Sequence, residues 1–312
     1  MSRLLRKNAW TLGLVALLCL LLVITKVIQP SFGASGVESL ARAALPFAFA
    51  TAAMAIVVIV GGIDLSIASM MAVCGVTAAV LMQSMGPVPA VLITLCVGLV
   101  MGALNGALIV LTKVPDIVVT LAMLFVWEGV ALLILTSPGG TVAPELRGLI
   151  TGAWIPGVPN ALIFMGVTIA LVWLPIRRAK LGLSIYAVGS DELAAFRSGI
   201  NVGWTKIIAY GLAGILSALG GLSLIMLTGI GEPVPGPYLL ASVAAVVLGG
   251  VVLGGGRGGL LGPIIAVFIL RIIRTILTLA AVDPNVTTIV EGVIMVAVVM
   301  LGAVLTYRGA HR

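Results

Sequence analysis

The sequence predicts an all-α fold, a polytopic membrane helix bundle of about ten transmembrane helices. Hydrophobic residues fill 61% of the 312 positions and charged residues only 9%, whereas a soluble domain carries roughly 25% charged residues. Apolar runs long enough to cross a bilayer, about 20 residues each, recur along the chain and are separated by glycine, proline or charge. Because no stretch remains for a sizeable soluble domain, residues 1–312 are expected to form a single transmembrane domain.

The apolar runs define ten predicted spans, an even number that places both termini on the same side of the membrane. The spans are 10–28, 41–61, 66–83, 88–111, 116–136, 160–176, 207–229, 238–253, 259–281 and 286–306. The first span follows Arg3, Arg6 and Lys7 and resembles a signal peptide. Its apolar part exceeds the roughly 7–15 residues usual for such a peptide, and no clear small-residue cleavage site follows. We therefore expect a retained first span.

The distribution of lysine and arginine predicts the orientation of the bundle. Cytoplasmic flanks of membrane proteins are enriched in these residues. With the N-terminus inside, twelve of the 17 fall on the cytoplasmic side, two lie within the ninth span, and only Lys26, Arg42 and Arg147 lie outside. Both termini are therefore expected to be cytoplasmic. This topology accounts for the net charge of +7 without a nucleic-acid partner.

The chain lacks the residues that several classes of enzyme and cofactor site require. The only histidine is His311, and the three cysteines lie inside apolar runs without metal-ligand spacing. A G-x-G-x-x-G pattern occurs at Gly254, Gly256 and Gly259, but it joins two membrane spans and lacks the preceding strand of a dinucleotide site. No P-loop pattern occurs. We therefore expect no catalytic residue, no metal site and no ATP site on this chain.

Two connections between predicted spans are long, an outer one near 137–159 and an inner one near 177–206. The outer one is rich in proline and glycine and is expected to form a loop with a surface or partly re-entrant helix. The inner one contains VGSDELAAFRSGIN, which predicts a short helix. Ser190 is expected to cap it, Asp191 and Glu192 suit its positive first turn, and Gly199 can end it.

Apolar residues of that inner helix fall on one side. Leu193, Phe196 and Ile200 are spaced three and four residues apart, which is the helical period. A short cytosolic helix with an apolar face needs a partner, and either the membrane surface or another protein would serve.

An aspartate stands between the second and third spans, in the stretch VGGIDLSIAS at 60–69. A carboxylate at the centre of a membrane helix costs roughly 2.5–3.5 kcal/mol by insertion measurements. Gly61 and Gly62 can break the second span, and Asp64 or Ser66 can then serve as the N-cap of the third. Two interpretations stay open: capping alone, or a broken corner beside a translocation pathway, where irregular backbone is tolerated at membrane depth.

Other polar residues lie within predicted spans. Arg271 and Arg274 are close on one face of the ninth span, and Glu291 lies in the tenth at nearly the same depth as Arg274. We predict that Arg274 and Glu291 pair, because buried membrane charges generally need partners; a structural role and a gating role both stay open. Asn105 and Glu128 are further candidates for the pathway or for structural polar contacts, with no partner evident in the sequence.

Glycines recur every fourth residue in the fourth span, at Gly98, Gly102 and Gly106. This small-residue pattern allows two helices to approach closely. We expect the surface to pack inside the subunit, and an interface between subunits is the alternative.

Three stretches together resemble one family. GGIDLS at 61–66, YAVGSDELAAFRSGINVGWTK at 186–206 and AAVVLGGVVLGGGRGGLLGP at 244–263 are similar, in order and spacing, to the permease subunits of bacterial ABC importers for monosaccharides, such as the ribose, autoinducer-2, xylose and galactose permeases. The resemblance covers nearly the whole chain. It departs from the family at Arg271 and Arg274, so substrate identity is not transferred.

The resemblance implies a permease of the bacterial inner membrane that is not itself an enzyme. Its implied partners are a second permease subunit (the same chain or a homologue), two ATP-binding subunits or one double-P-loop ATPase chain per permease, a soluble sugar-binding protein and membrane lipid; ATP and Mg would be bound by the ATPase. The inner helix then corresponds to the coupling helix that contacts the ATPase. The implied contact residues are Ser190, Asp191, Glu192, Leu193, Phe196, Arg197 and Gly199.

One other function is compatible with parts of the sequence, and a second lacks the residues that it needs. An ion-coupled secondary transporter of a small polar solute could use Asp64, Glu128 and Glu291 for a proton or sodium ion, although it would not need the structured inner loop. An intramembrane enzyme would need a nucleophile and base pair or a metal-ligand cluster, and the sequence supplies neither.

Overall fold

The computed structural model of the chain describes residues 9–234 and 236–310. Arg3, Arg6, Lys7 and Arg312, which contribute to the predicted orientation, lie outside the described residues. Within them, the regular structure consists of helices, and eight helices are long and apolar enough to cross a bilayer. The predicted all-α membrane bundle is therefore confirmed.

The described helices follow the predicted spans in order, with three short helices added in the two long connections. The bounds are α1 Ala9–Ile28, α2 Ala34–Ile59, α3 Ile67–Met85, α4 Pro87–Thr112, α5 Asp116–Ile134, α6 Pro144–Gly148, α7 Asn160–Arg178, α8 Lys180–Ser190, α9 Glu192–Arg197, α10 Val202–Thr228, α11 Tyr238–Leu248, α12 Leu261–Leu279 and α13 Pro284–Ala310.

The eighth predicted span, 238–253, is longer than the helix that forms there. Helix α11 has 11 residues and ends at Leu248. Gly250 follows with a φ of 84°, a left-handed conformation that glycine adopts without strain and that stops the helix. The chain then runs as an irregular glycine-rich loop to Leu261, so this part of the predicted span is wrong.

Helices α2 and α10 form the centre of the bundle. Side chains from Ala44 to Val60 are buried along α2, and α10 packs mainly against α4, α2 and α3. Helix α1 lies at the periphery against α12 and leaves most of its apolar side chains exposed. Exposed apolar faces of this kind suit a lipid surround, since a helix that is hydrophobic all round is either buried or spans a membrane.

Glycines bring α4 and α10 into backbone contact. A Cβ atom at Gly98 would collide with the carbonyl group of Gly214, and one at Gly102 would collide with the carbonyl oxygen of Tyr210. A Cβ atom at Gly106 would lie 2.8 Å from the α-carbon of Ile207, which is also on α10. The glycine surface of the fourth span therefore packs inside the subunit, as expected.

The outer connection is tied to the next loop on the same side of the bundle. Gly139 and Gly231 exchange two backbone hydrogen bonds, with N···O distances of 3.0 and 2.7 Å. The Gly152 N–H also donates to Glu38 Oε1 at 2.8 Å. Helix α6 occupies only five residues of this connection. The hydrogen bonds of Gly139 and Gly152 attach the rest of the connection to the bundle.

Candidate functional site

The three stretches that carry the family resemblance meet at one place, on the side predicted to be cytoplasmic. The Gly256 N–H donates to the carbonyl oxygen of Ile59 at 2.9 Å. A Cβ atom at Gly189, near the end of α8, would collide with that same carbonyl and with the Gly256 nitrogen. Tyr186 Oη donates to the Gly258 carbonyl at 2.8 Å. We call this meeting point the glycine junction; it joins the end of α2, helix α8 and the loop after α11.

Helix α9 follows the glycine junction directly, and both of its ends are fixed. Asp191, not Ser190, is the N-cap: its Oδ1 accepts from the Ala194 N–H at 2.9 Å. The prediction for Ser190 is wrong because α8 continues through this residue, and the chain leaves the helical conformation only at Asp191, with a φ of −162°.

The other end of α9 is a Schellman motif. Gly199 has a φ of 84°, and its N–H bonds the Phe196 carbonyl at 3.0 Å while the Ile200 N–H bonds the Ala195 carbonyl at 3.1 Å. Gly199 therefore ends the helix as predicted. Ile200 lies beyond the helix and packs, half-buried, against the core, so its predicted place on the apolar face of the helix is wrong.

The remaining apolar face of α9 points away from the protein. Leu193 is 58% exposed and Phe196 is 67% exposed, and Arg197 beside them is also exposed. Glu192 forms an ion pair with Lys206 at 2.9 Å, which braces the helix against α10. An exposed phenylalanine therefore stands on a braced helix, on the side of the bundle predicted to be cytoplasmic.

Asp64 lies in the connection between α2 and α3, fully buried and outside both helices. Gly61, with a φ of 95°, interrupts the helical conformation after α2, as predicted. Asp64 Oδ1 accepts from the Ser66 N–H at 2.8 Å and from Ser66 Oγ at 2.6 Å. This is a turn around Asp64 and not a helix cap: Ser66 is the N-cap residue of α3, but neither side chain bonds the N–H groups of the first turn. Ser66, one of the two predicted residues, therefore occupies the N-cap position of α3, but the expected hydrogen bond between its side chain and the first turn is not formed.

A buried chain of hydrogen bonds continues from this turn. Asn105 Nδ2 donates to Ser66 Oγ at 2.7 Å, and Trp127 Nε1 donates to Asn105 Oδ1 at 3.2 Å. Asn105 thus has partners at the start of α3 and on α5. Trp127 was not predicted as a member of this network, although a buried indole N–H usually finds an acceptor. Glu128, the next residue, is half-exposed and is not a member of this network.

A second polar contact fixes the same corner. Tyr210 Oη, on α10, donates to Asp116 Oδ2 at 2.9 Å, and Thr120 Oγ1 donates to the Ile63 carbonyl at 3.1 Å. These residues were not predicted from the sequence, because they lie far apart along the chain and only the packing of α5 and α10 brings them together.

Burial controls the charge of this corner. Loss of solvent raises the pKa of the Asp64 carboxyl from 3.8 to about 6, although the hydrogen bonds from Ser66 act in the opposite direction. Its second oxygen, Oδ2, is buried and forms no hydrogen bond with any described residue. The ionised form of Asp64 is therefore held at a cost to the fold.

The charged residues of the ninth and tenth spans lie together at the other end of the bundle. Arg274 Nη1 on α12 is 3.3 Å from Glu291 Oε2 on α13, so the structure contains the contact that the residue spacing indicates. The guanidinium of Arg271 lies over the ring of Phe47, 5.7 Å from its centroid. Arg271 does not share the Glu291 contact.

Comparison with known proteins finds a family model and relatives that are all described as permeases. A family model described as "Branched-chain amino acid transport system / permease component" matches residues 36–299. The ribose import permease protein of Escherichia coli strain K12 is 31% identical over 303 residues, 94% of each chain. The autoinducer 2 import system permease protein of the same strain is 30% identical over 318 residues, 97% of this chain and 94% of that one. No solved structure matches the chain significantly.

Proposed function

The chain belongs to the permease-component family of the branched-chain amino acid transport system, and on that premise we propose that it carries a monosaccharide across the membrane as one subunit of an ATP-driven importer. It is a multi-pass protein of the bacterial inner membrane. Relatives that cover nearly the whole chain are named as import permeases for ribose and for autoinducer 2, which supports a ribose-like sugar as substrate. A soluble binding protein would deliver the sugar from outside.

The proposed complex supplies energy from other chains. ATP and Mg would be bound by two ATP-binding subunits, or by one double-P-loop chain per permease. Two permease subunits, either two copies of this chain or one copy and a homologue, would enclose the pathway. The chain itself would act as a channel subunit without catalytic residues.

The observation that carries this proposal is the exposed apolar face of α9. Leu193 and Phe196 project from a helix that is held in place by its N-cap, its Schellman motif and the Glu192–Lys206 ion pair. Aromatic side chains placed on rigid elements dominate the energy of many protein interfaces. We therefore assign this face to a cleft on the ATP-binding subunit, which explains why an apolar surface stands free at the cytoplasmic side.

The ion-coupled alternative would need Asp64, Glu128 and Glu291 to share an ion. In the structure, Asp64 is bonded by Ser66 at the α2–α3 connection, whereas Glu291 contacts Arg274 between α12 and α13. Glu128 is half-exposed. These separate partners favour the ATP-driven reading.

The test is affinity purification of the full chain from its native membrane in mild detergent. We expect a P-loop ATPase to stay bound to the wild type and to be lost from Phe196→Asp, which places a charge on the contact face. Ile155→Asp is the matched control, because Ile155 is also exposed (56%) but lies in the outer loop. Both variants should elute as folded protein in size-exclusion chromatography.

Two results would contradict the proposal. Retention of the ATPase by Phe196→Asp would remove α9 from the contact. A stable wild-type complex without any ATPase, together with solute uptake that follows an ion gradient, would replace the importer by a secondary transporter.

A further inference from the structure

A cavity lies between α2, α11, α12 and α13, in the half of the bundle predicted to face outside. The cavity is open at its mouth, and its enclosed volume is about 60 Å³. Five of the lining side chains are aromatic or charged: Phe47, Tyr238, Arg271, Arg274 and Glu291. The other walls are apolar. The charged residues are thus gathered around one space and are not scattered along the helices.

The charges that line the cavity do not balance. Glu291 is held by Arg274 at 3.3 Å, and this pair leaves Arg271 as the excess positive charge. Arg271 Nε is buried and forms no hydrogen bond with any described residue. Desolvating a guanidinium N–H without an acceptor is costly, so this donor is expected to gain an acceptor when the cavity is occupied.

The Arg271 guanidinium lies over an aromatic ring. Its Cζ atom is 5.7 Å from the centroid of the Phe47 ring, within the range of a cation–π contact, and the Phe47 and Tyr238 ring centroids are 6.5 Å apart. A guanidinium is a planar fork that can bond a carboxylate through two parallel N–H···O contacts. The rings of Phe47 and Tyr238, both largely buried, form an apolar wall of the cavity beside it.

We propose that this cavity binds the carboxylate of a sugar acid, so that the transported solute is an anionic sugar derivative and not a neutral sugar. The proposal rests on the proposed transport function and names the substrate class for it. Arg271 would bond the carboxylate, Phe47 and Tyr238 would contact the sugar ring, and the Arg274–Glu291 pair would keep the second guanidinium from competing for the same group.

The test measures direct binding to the full-length chain in nanodiscs of phosphatidylcholine, at pH 7.5 and constant ionic strength. Two matched pairs of probes are compared, glucuronate with glucose and ribonate with ribose. In at least one pair the acid should bind about ten- to a hundredfold more tightly than the neutral sugar, the range expected for a charge-assisted hydrogen bond.

Variants assign the difference to Arg271. Arg271→Gln should bring the affinity for the acid down to that for the neutral sugar. Arg271→Lys keeps the charge but loses the planar fork, so it should leave an intermediate preference and remains informative if the glutamine variant fails to fold. Arg257→Gln, which alters an exposed arginine of the loop after α11, should change nothing.

Equal binding of acid and neutral sugar in both pairs would overturn the inference. So would phosphatidylglycerol that copurifies with the wild type but not with Arg271→Gln, combined with no preference for the acids, because the cavity would then be a lipid site. Capture of the ATPase is measured on the same preparations. If the ATPase binds and the acids are not preferred, only the sugar-acid inference fails; if the ATPase does not bind, the proposed function fails.

Discussion

Replacing Gly189 by alanine is expected to lower the free energy of unfolding by about 1–3 kcal/mol, although alanine is normally the better helix residue. The added Cβ would collide with the Ile59 carbonyl and the Gly256 nitrogen, both of them backbone atoms that cannot swing aside. Overpacking of this kind costs about 1–3 kcal/mol. Losing the Gly256–Ile59 hydrogen bond costs about 1 kcal/mol more, and the higher helix propensity of alanine returns about 1 kcal/mol.

A matched control separates packing from propensity. Gly166 lies in α7, and a Cβ atom there would meet nothing within 4 Å. Gly166→Ala should therefore stabilise the protein by about 1 kcal/mol through helix propensity alone. The two glycine-to-alanine variants should differ by about 2–4 kcal/mol, with opposite signs relative to the wild type.

Thiol labelling provides the assay. Cys74 is buried, whereas Cys19 and Cys96 are exposed, so a background with Cys19→Ser and Cys96→Ser leaves a single thiol that reacts only on unfolding. Labelling is followed while sodium dodecyl sulfate is titrated into mixed micelles. If Gly189→Ala raises the unfolding midpoint as much as Gly166→Ala does, the close backbone contact at the glycine junction does not exist in the folded protein.

The remaining predictions concern charges and use the same assay. Arg274→Ala should reduce stability or yield, because it leaves the Glu291 carboxylate without its partner, and adding Glu291→Ala should restore part of the loss; a double variant no better than the single one would refute the pairing. Asp64→Asn should stabilise the protein at pH 7.5 by up to about 3 kcal/mol. Folding raises the pKa of Asp64 from 3.8 to about 6, and each pKa unit of this rise makes the ionised carboxylate cost the folded state about 1.4 kcal/mol. The sign follows from the raised pKa: the penalty is complete above pH 6, shrinks as the pH falls below 6 and is absent below 3.8. A gain that is the same at pH 4.5 and pH 7.5 would refute ionisation as the cause.

The lengths and positions of the apolar runs predicted most of the fold. Long apolar runs have one stable form in a bilayer, so the helices appeared where the sequence placed them. The prediction errors lie where backbone geometry, and not hydropathy, determines where a helix begins or ends. The predicted span 238–253 is apolar to its end, but the left-handed glycine at 250 ends α11 early. Ser190 and Asp191 are both good caps, and only the packing of α8 at the glycine junction decides between them.

The polar contacts were less accessible to sequence reasoning. Arg274 and Glu291 could be matched because a short turn joins α12 and α13, which fixes their relative depth. Asn105 and Trp127 lie on helices whose rotation about their axes is set by packing, so their bond could not be read from spacing. The Asp116–Tyr210 bond joins residues 94 positions apart and depends on the approach of α5 to α10.

The glycine junction has a mechanical consequence for energy transfer. The carbonyl of Ile59, the α-carbon of Gly189 and the amide of Gly256 meet backbone to backbone, so no rotatable side chain lies between them to absorb a displacement. In the proposed complex, a force on α9 would pass through Asp191 into α8, and from there into the end of the central helix α2 and the loop that leads to α12. The stiffness of this joint, and not its chemistry, would set how much of each ATPase stroke reaches the centre of the bundle.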